Sequence, residues 1–177
     1  MNRRISPSMI ALVALLIALT TVFTLVIRVP VPATQGYVNL SDVAVTFTGL
    51  VFGPWVGFVA GGVGAALADL LGGYAQFAWL SFIAHGLEGL TIGFLGRGRR
   101  SAPGMIFAWL AGSLVMIVCY LLGEGLFLTG WPAALAEVPA NAFQALLGAV
   151  IGIPLVIAVR LAYPPIDRLG RRQEWTE

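Results

Sequence analysis

Lysine is absent from this 177-residue chain, so its positive charge rests on ten arginines. A nucleotide-binding P-loop needs a Gly-Lys-Ser/Thr step whose lysine reaches the phosphates, and ATP hydrolysis by that route is therefore excluded. Charge of either sign is scarce, at 10% of residues. The single Cys119 has no second cysteine to pair with and falls in an apolar run, where packing is its expected role. A lone His85 beside that one thiol falls short of a zinc ligand set, so neither a metal nor a cofactor is expected.

What fills the chain instead is apolar. Hydrophobic residues make up 59% of it and the mean hydropathy is +0.92, which places it among polytopic membrane proteins. The net charge of +2 does not point to nucleic acid, because the arginines flank hydrophobic segments and there set orientation. Met1-Asn2-Arg3-Arg4 ahead of an apolar stretch imitates a secretory signal, but the stretch runs on to Arg28-Val29-Pro30 without a small-residue cleavage site. It reads as a retained first helix.

The hydropathy pattern predicts an all-α membrane protein, a single domain over 1–177 with six spans at about 8–27, 40–53, 54–72, 77–95, 103–128 and 133–162. Pro30, Pro32 and Gly36 predict a structured loop after the first span, and Gly53-Pro54 separates the second from the third. Pro154 predicts a kink late in the sixth. Arg3, Arg4, Arg97, Arg99, Arg100, Arg160, Arg168, Arg171 and Arg172 then share one side with both termini, and only Arg28 lies opposite. By the positive-inside rule that shared side is the cytoplasm, for a multi-pass protein of the cell membrane.

Against this apolar background stand five carboxylates: Asp42, Asp69, Glu88, Glu124 and Glu137. Each costs roughly 2.5 to 3.5 kcal/mol at the centre of a lipid-facing helix, so convergence on a shared polar cavity is the economical arrangement. Glu137, Asn141 and Gln144 fall on one helical stripe that continues as Gly148 and Gly152. Ser81, His85 and Glu88 share a face of the fourth helix; Ser113, Tyr120 and Glu124 share one of the fifth. The third helix offers Gly62, Ala65 or Ala66, and Asp69. These stripes predict an outer-leaflet pocket that takes hydrogen-bond donors, with Asn39, Tyr74 and Trp79 at its mouth.

Blander roles compete with that reading. Asp42 and Asp69 sit at predicted helix ends, where solvated caps need no ligand. Glu88 and His85 can neutralise one another, and the Glu137 stripe can serve as interhelical glue. Tyr37, Tyr74, Phe77, Trp79, Tyr120, Phe127 and Trp131 suit an interfacial aromatic belt. Gly57, Gly61, Gly62 and Gly64 suit close helix packing, while the Ala11, Ala14, Ala18 face suits either packing or docking of a second membrane protein.

The segments Asn39-Leu40-Ser41-Asp42, Phe52-Gly53-Pro54, Ala68-Asp69-Leu70-Leu71-Gly72-Gly73-Tyr74, His85-Gly86-Leu87-Glu88-Gly89 and Glu137-Val138-Pro139-Ala140-Asn141 with Gln144, in that order, carry a resemblance. The chain resembles the substrate-binding S component of energy-coupling factor (ECF) transporters, nearest the branch with hydroxymethylpyrimidine- and pantothenate-type carriers. Many members carry lysine where His85 stands. The resemblance implies a six-helix S component that captures a small vitamin or vitamin precursor. It also implies a membrane coupling subunit docked on Ala14 and Ala18, and two cytosolic ATPase subunits that supply the energy. The excess of acids suits an aminopyrimidine or pyridine-like ligand. A stand-alone proton-coupled carrier using Glu88 and His85 is the main alternative; an intramembrane enzyme is disfavoured by the lack of a Gly-x-Ser-x-Gly nucleophile.

Overall fold

The computed structural model describes residues 7–169. The chain is mostly helical: α1 (Pro7–Val26), α2 (Ser41–Phe52), α3 (Pro54–Gly72), α4 (Ala78–Gly96), α5 (Ala102–Gly123), α6 (Trp131–Leu147), α7 (Ile153–Ala162) and the short α8 (Ile166–Leu169). A π-helical turn, Glu124–Leu128, extends α5, and another, Gly148–Gly152, joins α6 to α7. Among the described residues, five helical segments are long and apolar enough to cross a membrane: Pro7–Val26, Pro54–Gly72, Ala78–Gly96, Ala102–Leu128 and Trp131–Ala162. The sixth, α2, has only 12 residues.

That short helix is the centre of the bundle. All its residues are buried, so its length of about 18 Å never has to match the thickness of a bilayer. The other helices turn large apolar side chains outward, among them Leu15, Leu70, Phe94, Leu114 and Leu161, as a lipid-facing surface requires.

Glycine decides the tightest crossing. A Cβ on Gly57 of α3 would stand 2.5 Å from the Gly89 carbonyl oxygen of α4, and one on Gly61 would stand 2.6 Å from that of His85. The two antiparallel helices therefore meet backbone to backbone. Gly64, on another face of α3, meets α1 at Ile17 and Thr20, and Thr21 donates a 3.0 Å hydrogen bond to the Gly64 carbonyl.

An element outside the all-helical expectation links α1 to α2. Strands β1 (Val29–Val31) and β2 (Gly36–Val38) form an antiparallel hairpin, with Pro30 opposite Tyr37. At Pro154 the helix changes form: the π-helical turn Gly148–Gly152 ends just before it, and the proline sits in the first turn of α7, where its missing N–H leaves no bond unmade. Trp109 Nε1 donates to the Ala145 carbonyl beside that turn, at 2.9 Å.

The two ends of the bundle differ chemically. Leu50, Phe52, Val56, Ile92, Met105 and Val156 form a dry core in one half. Beyond it Arg160 donates to the carbonyls of Leu50 and Arg99 and pairs with Asp167 at 2.9 Å, and Arg100 pairs with the same carboxylate at 3.3 Å. Arg3, Arg4, Arg171 and Arg172 lie outside the described residues. The opposite half holds the hairpin and a polar cavity.

Candidate functional site

The cavity holds about 400 Å³ of space between atoms, part of it open to solvent at the mouth. Five helices and the hairpin segment supply its walls. The α6 stripe gives Glu137, Asn141 and Gln144; α4 gives Ser81 and His85; Tyr120 and Glu124 come from α5 and its π-helical extension. Ala65 and Asp69 come from α3, and Thr24 from α1. Gly36, Tyr37 and Asn39 of the hairpin segment, with Phe77, complete it.

Gln144 fixes how the hairpin meets the bundle. Its Oε1 accepts the Asn39 N–H at 2.7 Å while its Nε2 donates to Asp42 Oδ1 at 3.0 Å. Asn39 in turn accepts the Ser41 N–H at 2.7 Å, closing an Asx turn that starts α2. This clamp removes Asp42 from solvent altogether, so it is not the solvated cap that its place at a helix start suggested. Asp69 is no solvated cap either: it is 4% exposed and accepts the Tyr37 hydroxyl at 2.7 Å. Burial, then the neighbouring Asp69 carboxylate, push the Tyr37 phenol far above its ordinary range and keep it a donor.

The sequence-predicted residues divide into two shells. His85, Glu137, Asn141, Gln144, Glu124, Asn39, Asp69 and Tyr120 line the cavity. Asp42 and Glu88 stand one layer deeper, behind His85, whose Nδ1 lies 3.0 Å from Glu88 Oε2 and 3.4 Å from Asp42 Oδ1. With Nδ1 turned to those acids, the Nε2 edge of the ring is left for the cavity. Tyr74 does not line the cavity but packs on Tyr37, with ring centroids 4.5 Å apart. Trp79 is 43% exposed and meets Phe127 edge-on, outside the cavity.

Four residues, Gly36, Thr24, Tyr37 and Phe77, reached the wall without being singled out for it. Gly36 carries no side chain because a Cβ there would press on Thr34 and Glu137, at 3.3 and 3.4 Å. Thr24 was hidden by the apolar average of α1, although Thr20, Thr21 and Thr24 at helical spacing mark an inward face. Tyr37 read as part of an aromatic belt, and only the hairpin turns it inward.

Carboxylate chemistry dominates the wall. Glu124 and Glu137 stand beside one another, and Glu137 and Thr34 both press on Gly36. Asp69 Oδ2, Glu124 Oε2 and Glu137 Oε2 are buried with no hydrogen-bond partner among the described residues. Among the described residues, no arginine lines the space. Arg28 is turned away, donating to the Gly72 carbonyl and lying 5.6 Å from the Tyr37 ring centre. Such a wall accepts hydrogen bonds and positive charge; it opposes anions.

The family model for the ECF-type riboflavin transporter, S component, matches residues 4–161. The chain belongs to that family. Its members are transporter subunits rather than enzymes. A 35% identical relative, an uncharacterized protein of Pyrococcus woesei, aligns over 82% of this chain and 97% of its own length. The thiamine precursor transporter HmpT of Lactococcus lactis subsp. cremoris (strain MG1363) is 28% identical over 91% of this chain and 89% of its own. The crystal structure of FolT bound with folic acid superposes with a TM-score of 0.63 over 89% of this chain and 95% of that one, at 17% identity. That likeness establishes a common fold for this S component.

Proposed function

We propose that this S component captures a small, flat, nitrogen-rich vitamin precursor from outside the cell, of the aminopyrimidine or pyridine type. The observation that carries the proposal is the wall of three carboxylates, each with an unpartnered buried oxygen, around a space that no arginine among the described residues lines. Exocyclic amines and ring N–H groups supply the donors that such oxygens lack. The rings of Tyr37, Phe77 and Tyr120 offer stacking faces. HmpT, a thiamine precursor transporter, supports the same choice.

In this reading the chain crosses the plasma membrane six times, with α2 as an enclosed short span and both termini in the cytoplasm. The arginines gathered beyond the dry core support that orientation. Uptake is then powered by an ECF coupling subunit and two cytosolic ATPases. Ala11, Ala14 and Ala18 form an exposed face of α1, and small residues there permit close approach of a partner helix.

Native mass spectrometry of the gently purified chain, followed by titration with hydroxymethylpyrimidine, riboflavin and folate, tests the ligand. Retention of a single-ring amine and saturable binding of hydroxymethylpyrimidine are expected. Selective retention of folate, an anion, would overturn the reading. Ala14→Leu with Ala18→Leu should abolish co-purification with the coupling subunit and leave ligand retention intact. Undiminished co-purification would move the docking surface elsewhere.

A further inference from the structure

Beneath the cavity wall, α2 and α4 bring together Asp42, His85 and Glu88, none of them more than 1% exposed. One ligand-capable atom from each lies within 4.8 Å of the other two. The sequence alone argued against a metal, because it counts one histidine and no useful thiol. It does not show that two carboxylates from different helices converge on the same ring nitrogen.

The distances allow two kinds of bonding. Separations of 3.0 and 3.4 Å from His85 Nδ1 to Glu88 and Asp42 suit hydrogen bonds. They equally suit neighbouring ligands of one ion: donors roughly 2.1 Å from a common metal, at octahedral or tetrahedral angles, are about 3.0 to 3.4 Å apart.

Hydrogen bonding leaves the cluster incomplete. Asp42 Oδ2 and Glu88 Oε1 are fully buried without a partner among the described residues. The other donors that reach the cluster, Gln144 Nε2 and the Ser41 hydroxyl, both go to Asp42 Oδ1. Arg100 and Arg160 pair with Asp167 at the other end of the bundle. Two enclosed carboxylates with one imidazole between them call for a compensating cation.

We propose that Asp42, His85 and Glu88 form a site for one divalent first-row transition-metal ion, held between the second and fourth helices beneath the cavity. One imidazole nitrogen with two carboxylates suits zinc, manganese, iron, cobalt or nickel; calcium and magnesium prefer oxygen alone. Binding through Nδ1 places the ring proton on Nε2, so the metal makes His85 a hydrogen-bond donor toward the cavity. The inference stands apart from the vitamin reading, since neither requires the other.

The test uses the full chain purified without a polyhistidine tag, stripped with EDTA and desalted. It is then supplied separately with zinc, manganese, cobalt and nickel, with magnesium and calcium as controls. Elemental analysis should give about one transition-metal ion per chain, with a rise in the unfolding temperature that the controls do not produce. Glu88→Gln should lower metal retention at least tenfold, as should Asp42→Asn. Glu137→Gln, which alters a cavity acid, should retain the ion. No ion held by the unsubstituted chain, or equal retention by Glu88→Gln, would overturn the proposal and leave a hydrogen-bonded cluster. Hydroxymethylpyrimidine binding measured on the same samples separates the two readings: a chain that binds the pyrimidine but no metal sinks only this one.

Discussion

Glu137→Gln should weaken hydroxymethylpyrimidine binding by about tenfold to a hundredfold, because a hydrogen bond to an ionised acceptor is worth about 1.5 to 3 kcal/mol and 1.4 kcal/mol is a factor of ten. The amide keeps the size of the side chain but replaces an acceptor oxygen with an N–H₂ that faces the ligand's own donors. Glu124→Gln should behave alike. Since the two carboxyl groups are interacting neighbours, the double variant should lose less than the product of the single losses. Isothermal titration of the detergent-solubilised chain reads all three. Stability should not fall with affinity, because neutralising a buried carboxylate removes a desolvation cost. A Glu137→Gln chain that binds as tightly as its parent would remove this acid from the ligand's environment.

Gly89→Val is expected to destabilise the bundle by about 3 kcal/mol or more, at or beyond the top of the range for overpacked cores. A Cβ there meets the Gly57 carbonyl group, with the carbonyl carbon at 2.6 Å, and a backbone cannot rotate aside as a side chain does. Only separation of α3 from α4 relieves the overlap. That movement displaces Glu88 and His85, so ligand binding should fail together with thermal stability. Gly73→Ala provides the contrast: a Cβ meets nothing within 4 Å, and the left-handed backbone alone costs about 1 kcal/mol. Fluorescence-detected size-exclusion after a heating series distinguishes the two. Equal melting of both variants would mean that the crossing tolerates a wider spacing.

The features most legible from sequence were those written into a single helix. Gly53-Pro54 divides α2 from α3 because a positive φ at the glycine and a missing N–H at the proline break the hydrogen-bond ladder at adjacent residues. The stripe from Glu137 to Gly152 is buried along its length because i, i+4 and i+7 share one face. What escaped the sequence depends on a second element. Strands of three residues, one of them interrupted by Pro30, lack the length for an alternating pattern, so the hairpin that carries Tyr37 inward left no signal. Asp42 lies near a helix start, and its enclosure comes from residues far along the chain, His85, Gln144 and Gly148. Glu88 shares a face with His85, but helical spacing does not tell which of them stands in front.

The enclosure of α2 has a consequence for biosynthesis. A twelve-residue segment bearing an acid is too short to settle in a bilayer by itself, and the amide that holds this acid is encoded 102 residues later. The second helix to leave the ribosome is therefore among the last to reach its final surroundings. Until the C-terminal helices are delivered, it must wait at the membrane surface or in the keeping of the insertion machinery.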